Sequence, residues 1–189
     1  MAQSTKTAIA FVGMPGSGKS VCSGYMAAQG FFMYRFGQIV VDEVARRGLS
    51  LNPMNERIVR EDIRQQEGIN AIAQRSLQPL QAALDDHDVI IIDGLYGFGE
   101  YKLLLQSLEA RLVLIAVFTP RHLRYARLTT REERPLTEDE ARTRDYREIE
   151  NLEKGGPIAI ADYTIVNDGT AETLIERLNS LLAEIGVPL

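Results

Sequence analysis

The chain has 189 residues, 45% of them hydrophobic and 25% charged, which suffices for one buried core and is too short for two ordinary domains. A net charge of −5 argues against the broad basic face of a general nucleic-acid binder, so any anionic ligand has to be met by a local cluster of cations. No apolar run reaches the length of a membrane span, Cys22 has no second cysteine to pair with, and the N-terminus lacks the pattern of a secretory leader, so the expected location is a reducing cytoplasm.

Taken in chain order, the elements alternate. TAIAFV (7–12), FMYRF (32–36), DVIIID (88–93), RLVLIAVF (111–118) and DYTIV (162–166) are short β-rich runs, several of them almost unbroken in their apolarity, as strands buried on both faces are. Helical signals fall between them. One helix runs from Lys19 to Ala28 and stops at Gly30, another from Gln38 to Arg47 with a stop at Gly48, and a third starts at Pro53 behind an Asn52 cap. After the fourth strand, Pro120 opens a helix, Thr137 to Glu140 reads as a capping box whose helix stops at Gly155-Gly156, and a last helix runs from Thr170 to Ile185. The order βαβ(αα)βαβ(αα)βα predicts an α/β fold with a mostly parallel sheet and helices on both faces.

GMPGSGKS (13–20) fits the pattern G-x-x-x-x-G-K-[ST] and sits directly after a buried strand at the start of a helix, which is the context that gives the pattern meaning. Gly13, Pro15, Gly16, Ser17 and Gly18 form the loop, in which backbone N–H groups can turn inward around a phosphate while the helix N-terminus adds its partial positive charge. Lys19 bridges the outer phosphates of a nucleotide in this reading, and Ser20 offers a hydroxyl to Mg²⁺. The alternative is a glycine-rich turn with a capping serine. Asp93 ends an apolar strand on the side where α/β sheets form their ligand crevice, which suits a water-mediated Mg²⁺ ligand, although a strand-ending turn with Gly94 uses the same residues. Arg124, Arg127 and Arg131 recur at spacings of three and four, and Arg134, Arg142, Arg144 and Arg147 follow. Such a set can close over phosphates and spread transition-state charge, or pair with Asp139, Glu140, Asp145 and Glu148 on a solvated face.

The run of GMPGSGKS, RFGQIVVDEVARRGL, REDIRQQEGINAIAQR, VIIIDGLYGFGEY, RHLRYARL, RTRDYRE and IAIADYTIVNDGT resembles the archaeal-type dephospho-CoA-kinase-like proteins, relatives of nucleoside monophosphate kinases, over almost the whole chain. The resemblance implies a single P-loop kinase domain over 1–189, with a five-stranded parallel sheet, an acceptor-binding helical lobe at about 37–85 and a lid at about 131–144. It also implies ATP and Mg²⁺ as cofactors and a small nucleotide-like acceptor. Arg127 and Arg131 would line the nucleotide and its phosphates, Arg142 or Arg144 would return from the lid, and Asn167 would lie near the base. The sequence departs from that pattern on the acceptor side: Gln38 and Val41 stand where G-D-x-x-R is usual, and Tyr96 stands where an arginine usually follows Asp93-Gly94. A kinase is therefore weighed against a nucleotide hydrolase or switch, and against a binding module without turnover. Lys19, Arg131, Arg144 and Asp93 are the expected catalytic set.

Overall fold

The protein is described by a computed structural model covering residues 6–132 and 134–188. Its strands are β1 (Thr7–Val12), β2 (Phe32–Arg35), β3 (Val89–Asp93), β4 (Arg111–Phe118) and β5 (Tyr163–Val166). All pair in parallel, in the order β2-β3-β1-β4-β5. The helices are α1 (Lys19–Ala28), α2 (Gly37–Arg46), α3 (Pro53–Glu67), α4 (Ala71–Asp86), α5 (Phe98–Ser107), α6 (Arg121–Thr130), α7 (Glu138–Leu152), α8 (Gly155–Ala159) and α9 (Ala171–Glu184).

The unbroken apolar runs of the strands have a direct cause. Successive side chains of β1 point to opposite faces, so Ala8, Ala10 and Val12 join a core with α2 to α5, while Ile9 and Phe11 join a second core with Cys22, Met26, Leu174 and Leu178 of α1 and α9. Both faces are covered, and polar alternation would bury unpaired groups on one of them. Cys22 is wholly buried there, and burial pushes its thiol up to about 12, which makes it an inert packing residue.

The caps follow the sequence signals. The Asn52 side chain accepts from Asn55 N at 2.9 Å, with Pro53 in the first turn. Thr137 Oγ1 accepts from Glu140 N at 3.3 Å while Glu140 Oε2 accepts from Thr137 N at 2.8 Å, a reciprocal capping box. Two expectations are corrected. The sequence predicts two helices between β2 and β3 and two between β4 and β5, whereas each connection holds three, the additional ones being α4 and α8 among the described residues. Gly155-Gly156 does not stop α7. That helix ends at Leu152, Glu153 turns the chain with a left-handed φ of 53°, and the glycine pair opens α8.

The chain leaves β1 through α1 toward β2 at one edge, and leaves β3 through α5 toward β4 on the other side. β1 and β3 are neighbours whose connections diverge, so a crevice opens beyond their carboxyl ends. The phosphate loop and Asp93 stand at those two ends. No helix among the described residues is long and apolar enough to cross a membrane.

Candidate functional site

The loop 13–18 has one backbone bond of its own, Ser17 N to Met14 O at 3.2 Å, and is otherwise held from behind. Gly18 caps α1 with a left-handed φ of 101°, and a Cβ there would lie 2.4 Å from Asn167 Nδ2, so only glycine fits. Gly16 has a φ of 78° and would place a Cβ 2.8 Å from the Arg124 carbonyl oxygen. The loop thus packs against α6 on one side and the segment after β5 on the other. Asn167 Nδ2 donates to Ser17 O at 2.7 Å, and Thr119 Oγ1 lies 3.0 Å from the same carbonyl and 2.8 Å from Asn167 O. Arg124 Nη1 donates to Pro15 O at 3.0 Å. These bonds occupy the outward carbonyls of the loop. With Ser17 N bonded within the loop, a turn of this kind can present its remaining N–H groups to an anion.

Two groups in the loop fit such an anion. Ser17 is 1% exposed, and its Oγ is buried with no hydrogen-bond partner among the described residues. A buried hydroxyl without a partner costs free energy unless a ligand supplies one. Lys19 Nζ donates only a 3.2 Å bond to Met14 O, and its pKa is pulled down to about 7, first by burial and then by the Lys154 ammonium, against Glu148 and Asp93. A phosphate would restore its charge. Ser20 is exposed on the first turn of α1, and Asp93 ends β3 with its side chain 24% exposed and Arg35 Nε at 3.8 Å. One hydroxyl and one accessible carboxylate are a donor set suited to Mg²⁺, which keeps waters and phosphate oxygens as its other ligands. Among the described residues no group of three or more His, Cys, Asp or Glu side chains could hold a metal ion by itself.

The arginines do not act as one face. Arg124 is buried in a pair with Asp145 of α7, through Nη1–Oδ1 at 3.0 Å and Nη2–Oδ2 at 2.6 Å. Arg127 turns to the segment after β5, with Nη2 donating to Gly169 O at 2.9 Å and reaching Asn167 Oδ1 at 3.4 Å, so Arg127 and Asn167 are joined to each other. Asn167 is itself buried and committed to the Ser17 carbonyl. Arg131 Nε donates to Arg134 O at 2.5 Å in the α6–α7 connection, and Arg134 Nη2 reaches Glu56 Oε1 of α3 at 3.5 Å. Arg142 pairs with Asp139 at 2.5 Å on the surface of α7. Arg144 alone of the α7 arginines joins the charges around Lys19, and its Nε donates to Glu148 Oε1 at 2.9 Å.

Sequence reasoning left Lys154 out of this cluster, named Glu148 only as a partner for the arginines on a solvated face, and named Tyr96 only as a departure after Asp93-Gly94. Glu148 pairs with Arg144 on one oxygen and with the Lys154 ammonium on the other. Burial works against the Glu148 carboxylate, yet Lys154 and Arg144 together hold its pKa below the usual value. Lys154 is 2% exposed and sits 4.4 Å from the centre of the Tyr96 ring. The available signal was compositional. Lysine occurs at four positions only, 6, 19, 102 and 154, in a chain otherwise using arginine.

Residues 12–153 match the family model described as an AAA domain. The chain is 35% identical to a UPF0200 protein of Thermococcus kodakarensis over 176 residues, covering 92% of this chain and 95% of that one. This chain belongs to the UPF0200 family. Another member, from Methanothrix thermoacetophila, is 36% identical over 183 residues, covering 94% of this chain and 97% of its own. A UPF0200/UPF0201 protein of Archaeoglobus fulgidus is 32% identical over 179 residues, but this UPF0200 chain spans only 55% of its length. Among solved structures, the fold is similar to that of TT1252 from Thermus thermophilus (TM-score 0.64, 19% identity, 95% of this chain and 98% of that one). It is also similar to shikimate kinase from Acinetobacter baumannii in complex with shikimate (TM-score 0.56, 17% identity, 99% and 98%) and to a gluconokinase from Sinorhizobium meliloti (TM-score 0.57, 14% identity, 96% and 94%). The UPF0200 chain therefore has a P-loop kinase-like α/β fold with a five-stranded parallel sheet.

Proposed function

We propose that this chain is an ATP-dependent phosphotransferase that passes a terminal phosphoryl group to a small-molecule acceptor, such as a nucleoside monophosphate or dephospho-CoA. The observation that carries the reading is the phosphate loop at the β1 end, where among the described residues the buried Ser17 hydroxyl has no partner and the Lys19 ammonium meets no carboxylate within salt-bridge distance. Kinase neighbours of the same fold, whose names give shikimate and gluconate chemistry, support a small acceptor over a macromolecular one.

In this reading the loop N–H groups and Lys19 orient the phosphate chain, and Ser20 with Asp93 would hold Mg²⁺, whose chemistry there is to neutralise charge on the phosphate oxygens. Arg127 and Asn167 flank the nucleotide end of the loop. Arg144 faces the phosphoryl group from α7, and Arg131 closes the 131–144 segment as a lid that excludes water. The three helices α2 to α4 form the acceptor lobe. Phosphoryl transfer asks little covalent chemistry of the protein, so positioning and charge are the functions these residues have to supply.

The test is a screen of nucleoside monophosphates, dephospho-CoA and small hydroxy acids and sugars with γ-labelled ATP, following where the label goes. Label in an acceptor product supports the reading. Label released only as free phosphate makes the chain a hydrolase, and binding without turnover makes it a nucleotide-holding module.

A further inference from the structure

Lys19 feels the charges of two further cations, Arg144 and Lys154, and of two carboxylates, Asp93 and Glu148. Lys154 and Glu148 are nearly buried, with side chains 3% and 12% exposed, and Lys19 is half-buried. Burying a surplus of one sign is costly unless a ligand of the other sign arrives. The phosphate loop accounts for Lys19. It does not account for Lys154, which lies 135 positions further along the chain and is brought in by tertiary structure alone.

The placement of Lys154 is built. α7 ends at Leu152, and Glu153 adopts a left-handed conformation (φ 53°, ψ 33°) that a non-glycine residue takes only at a cost. That turn lets Lys154 N donate to Glu148 O at 3.2 Å and sends the side chain back toward α7. The ammonium group then rests on two supports, the Glu148 carboxylate and the face of the Tyr96 ring. Tyr96 belongs to the segment that follows Asp93, so Lys154 is stationed beside the β3 end of the crevice. A ring face attracts a cation while leaving its other hydrogens free to donate, which a second carboxylate would not do. Glu148 is the counter-ion of this lysine, and its other oxygen is held by Arg144, so the ring face is the side of the ammonium group left without a charge partner.

We propose that Lys154 is a second phosphate-contacting lysine: its ammonium group, held ready on Glu148 and the Tyr96 ring, meets the terminal phosphoryl group of a bound nucleoside triphosphate. This rests on the nucleotide site proposed above and adds the residue that tells a triphosphate from a diphosphate. Burial lowers the Lys154 pKa against the pull of Glu148, and an arriving phosphate acts in the same direction as Glu148, keeping the group charged.

The experiment measures equilibrium binding of Mg·ADP and of the Mg complex of the non-hydrolysable β,γ-imido analogue of ATP to the full chain, for the parent, Lys154→Met and Lys154→Arg. In Lys154→Met the preference for the imidotriphosphate over ADP is expected to fall about tenfold or more, the scale of one charge-assisted hydrogen bond, with ADP affinity nearly unchanged. Lys154→Arg keeps the charge and is expected to retain most of the preference. An unchanged preference in folded Lys154→Met overturns the proposal and makes the residue a strut between α7 and Tyr96. If Lys154→Met does not fold, Tyr96→Leu removes the ring support while leaving the ion pair, and is expected to lower the preference by a smaller factor. No change there overturns the proposal as well. A parent that binds neither nucleotide overturns the underlying nucleotide-site reading, an outcome distinct from a parent that binds both and a variant that binds them alike.

Discussion

Arg124 and Asp145 form a two-pronged ion pair between α6 and α7, at 3.0 and 2.6 Å, and the same Arg124 Nη1 donates to the Pro15 carbonyl of the phosphate loop at 3.0 Å. Both side chains are 7% exposed. Removing one partner leaves the other charged and buried, so Asp145→Ala is expected to lower unfolding stability by about 3–5 kcal/mol, read from urea denaturation. It is also expected to weaken nucleotide binding, because Arg124 fixes the loop. A loss under about 1 kcal/mol would mean that water replaces the carboxylate and that the pair is not a structural tie.

Lys19→Ala is expected to abolish turnover while the chain stays folded. A full charge at the phosphate chain is worth at least the 10²–10³-fold of a single oxyanion donor. Steady-state turnover near the parent value in the folded variant would remove Lys19 from the site.

Ser20 and Asp93 are expected to make activity depend on Mg²⁺ or Mn²⁺. Asp93→Asn keeps the size of the side chain and loses its charge, so the half-saturating Mg²⁺ concentration is expected to rise about tenfold or more. Full activity in excess chelator would exclude the metal role.

Arg131→Ala is expected to slow single-turnover phosphoryl transfer far more than it weakens ATP binding, because a lid contact strengthens as charge develops in the transition state. Arg134→Ala is expected to have the smaller effect, since Arg134 reaches Glu56 of α3 at 3.5 Å. Weaker ATP binding with an unchanged bound-state rate in Arg131→Ala would make that residue a ground-state anchor and end the closing-lid account.

Glu43 supplies the acid dependence. Its carboxylate accepts from Arg46 Nε at 2.7 Å, Arg46 Nη2 at 2.6 Å and Arg47 Nε at 2.7 Å, and Arg47 Nη1 continues to Asp62 of α3 at 2.6 Å. These hydrogen bonds, from Arg46 first and Arg47 next, hold its pKa down to about 2 from an ordinary 4.5. Between those values the unfolded chain binds the proton that the folded chain refuses, so the contribution is present above about pH 4.5 and is lost as pH falls toward 2. Denaturant midpoints at pH 7 and pH 3 are expected to differ more for the parent than for Glu43→Gln. Equal differences would show that the arginine contacts do not survive in solution.

Local chemistry was enough to write much of this molecule from its sequence. The two-sided apolar strands, the Asn52 and Thr137 caps and the phosphate loop between β1 and α1 depend on residues within a few positions of one another, where propensity, capping and periodicity act directly. α8 was lost to the sequence because Gly155-Gly156 reads as a stop, and the turn that releases it is made by Glu153, a residue with no intrinsic preference for a left-handed backbone. The separate fates of the arginines were equally out of reach. Helical spacing predicts one shared face for Arg124, Arg127 and Arg131, but α6 ends at Thr130 and leaves Arg131 in the connection, and the burial of Arg124 and the turn of Arg127 depend on Asp145 and Asn167, whose approach is set by the packing of α7 and β5. Lys154, Glu148 and Tyr96 became members of the site in the same way. Glu148 was visible as an arginine partner and Tyr96 as a departure after Asp93, but only the tertiary packing pairs Lys154 with both of them and brings the Lys154 and Glu148 charges to bear on Lys19.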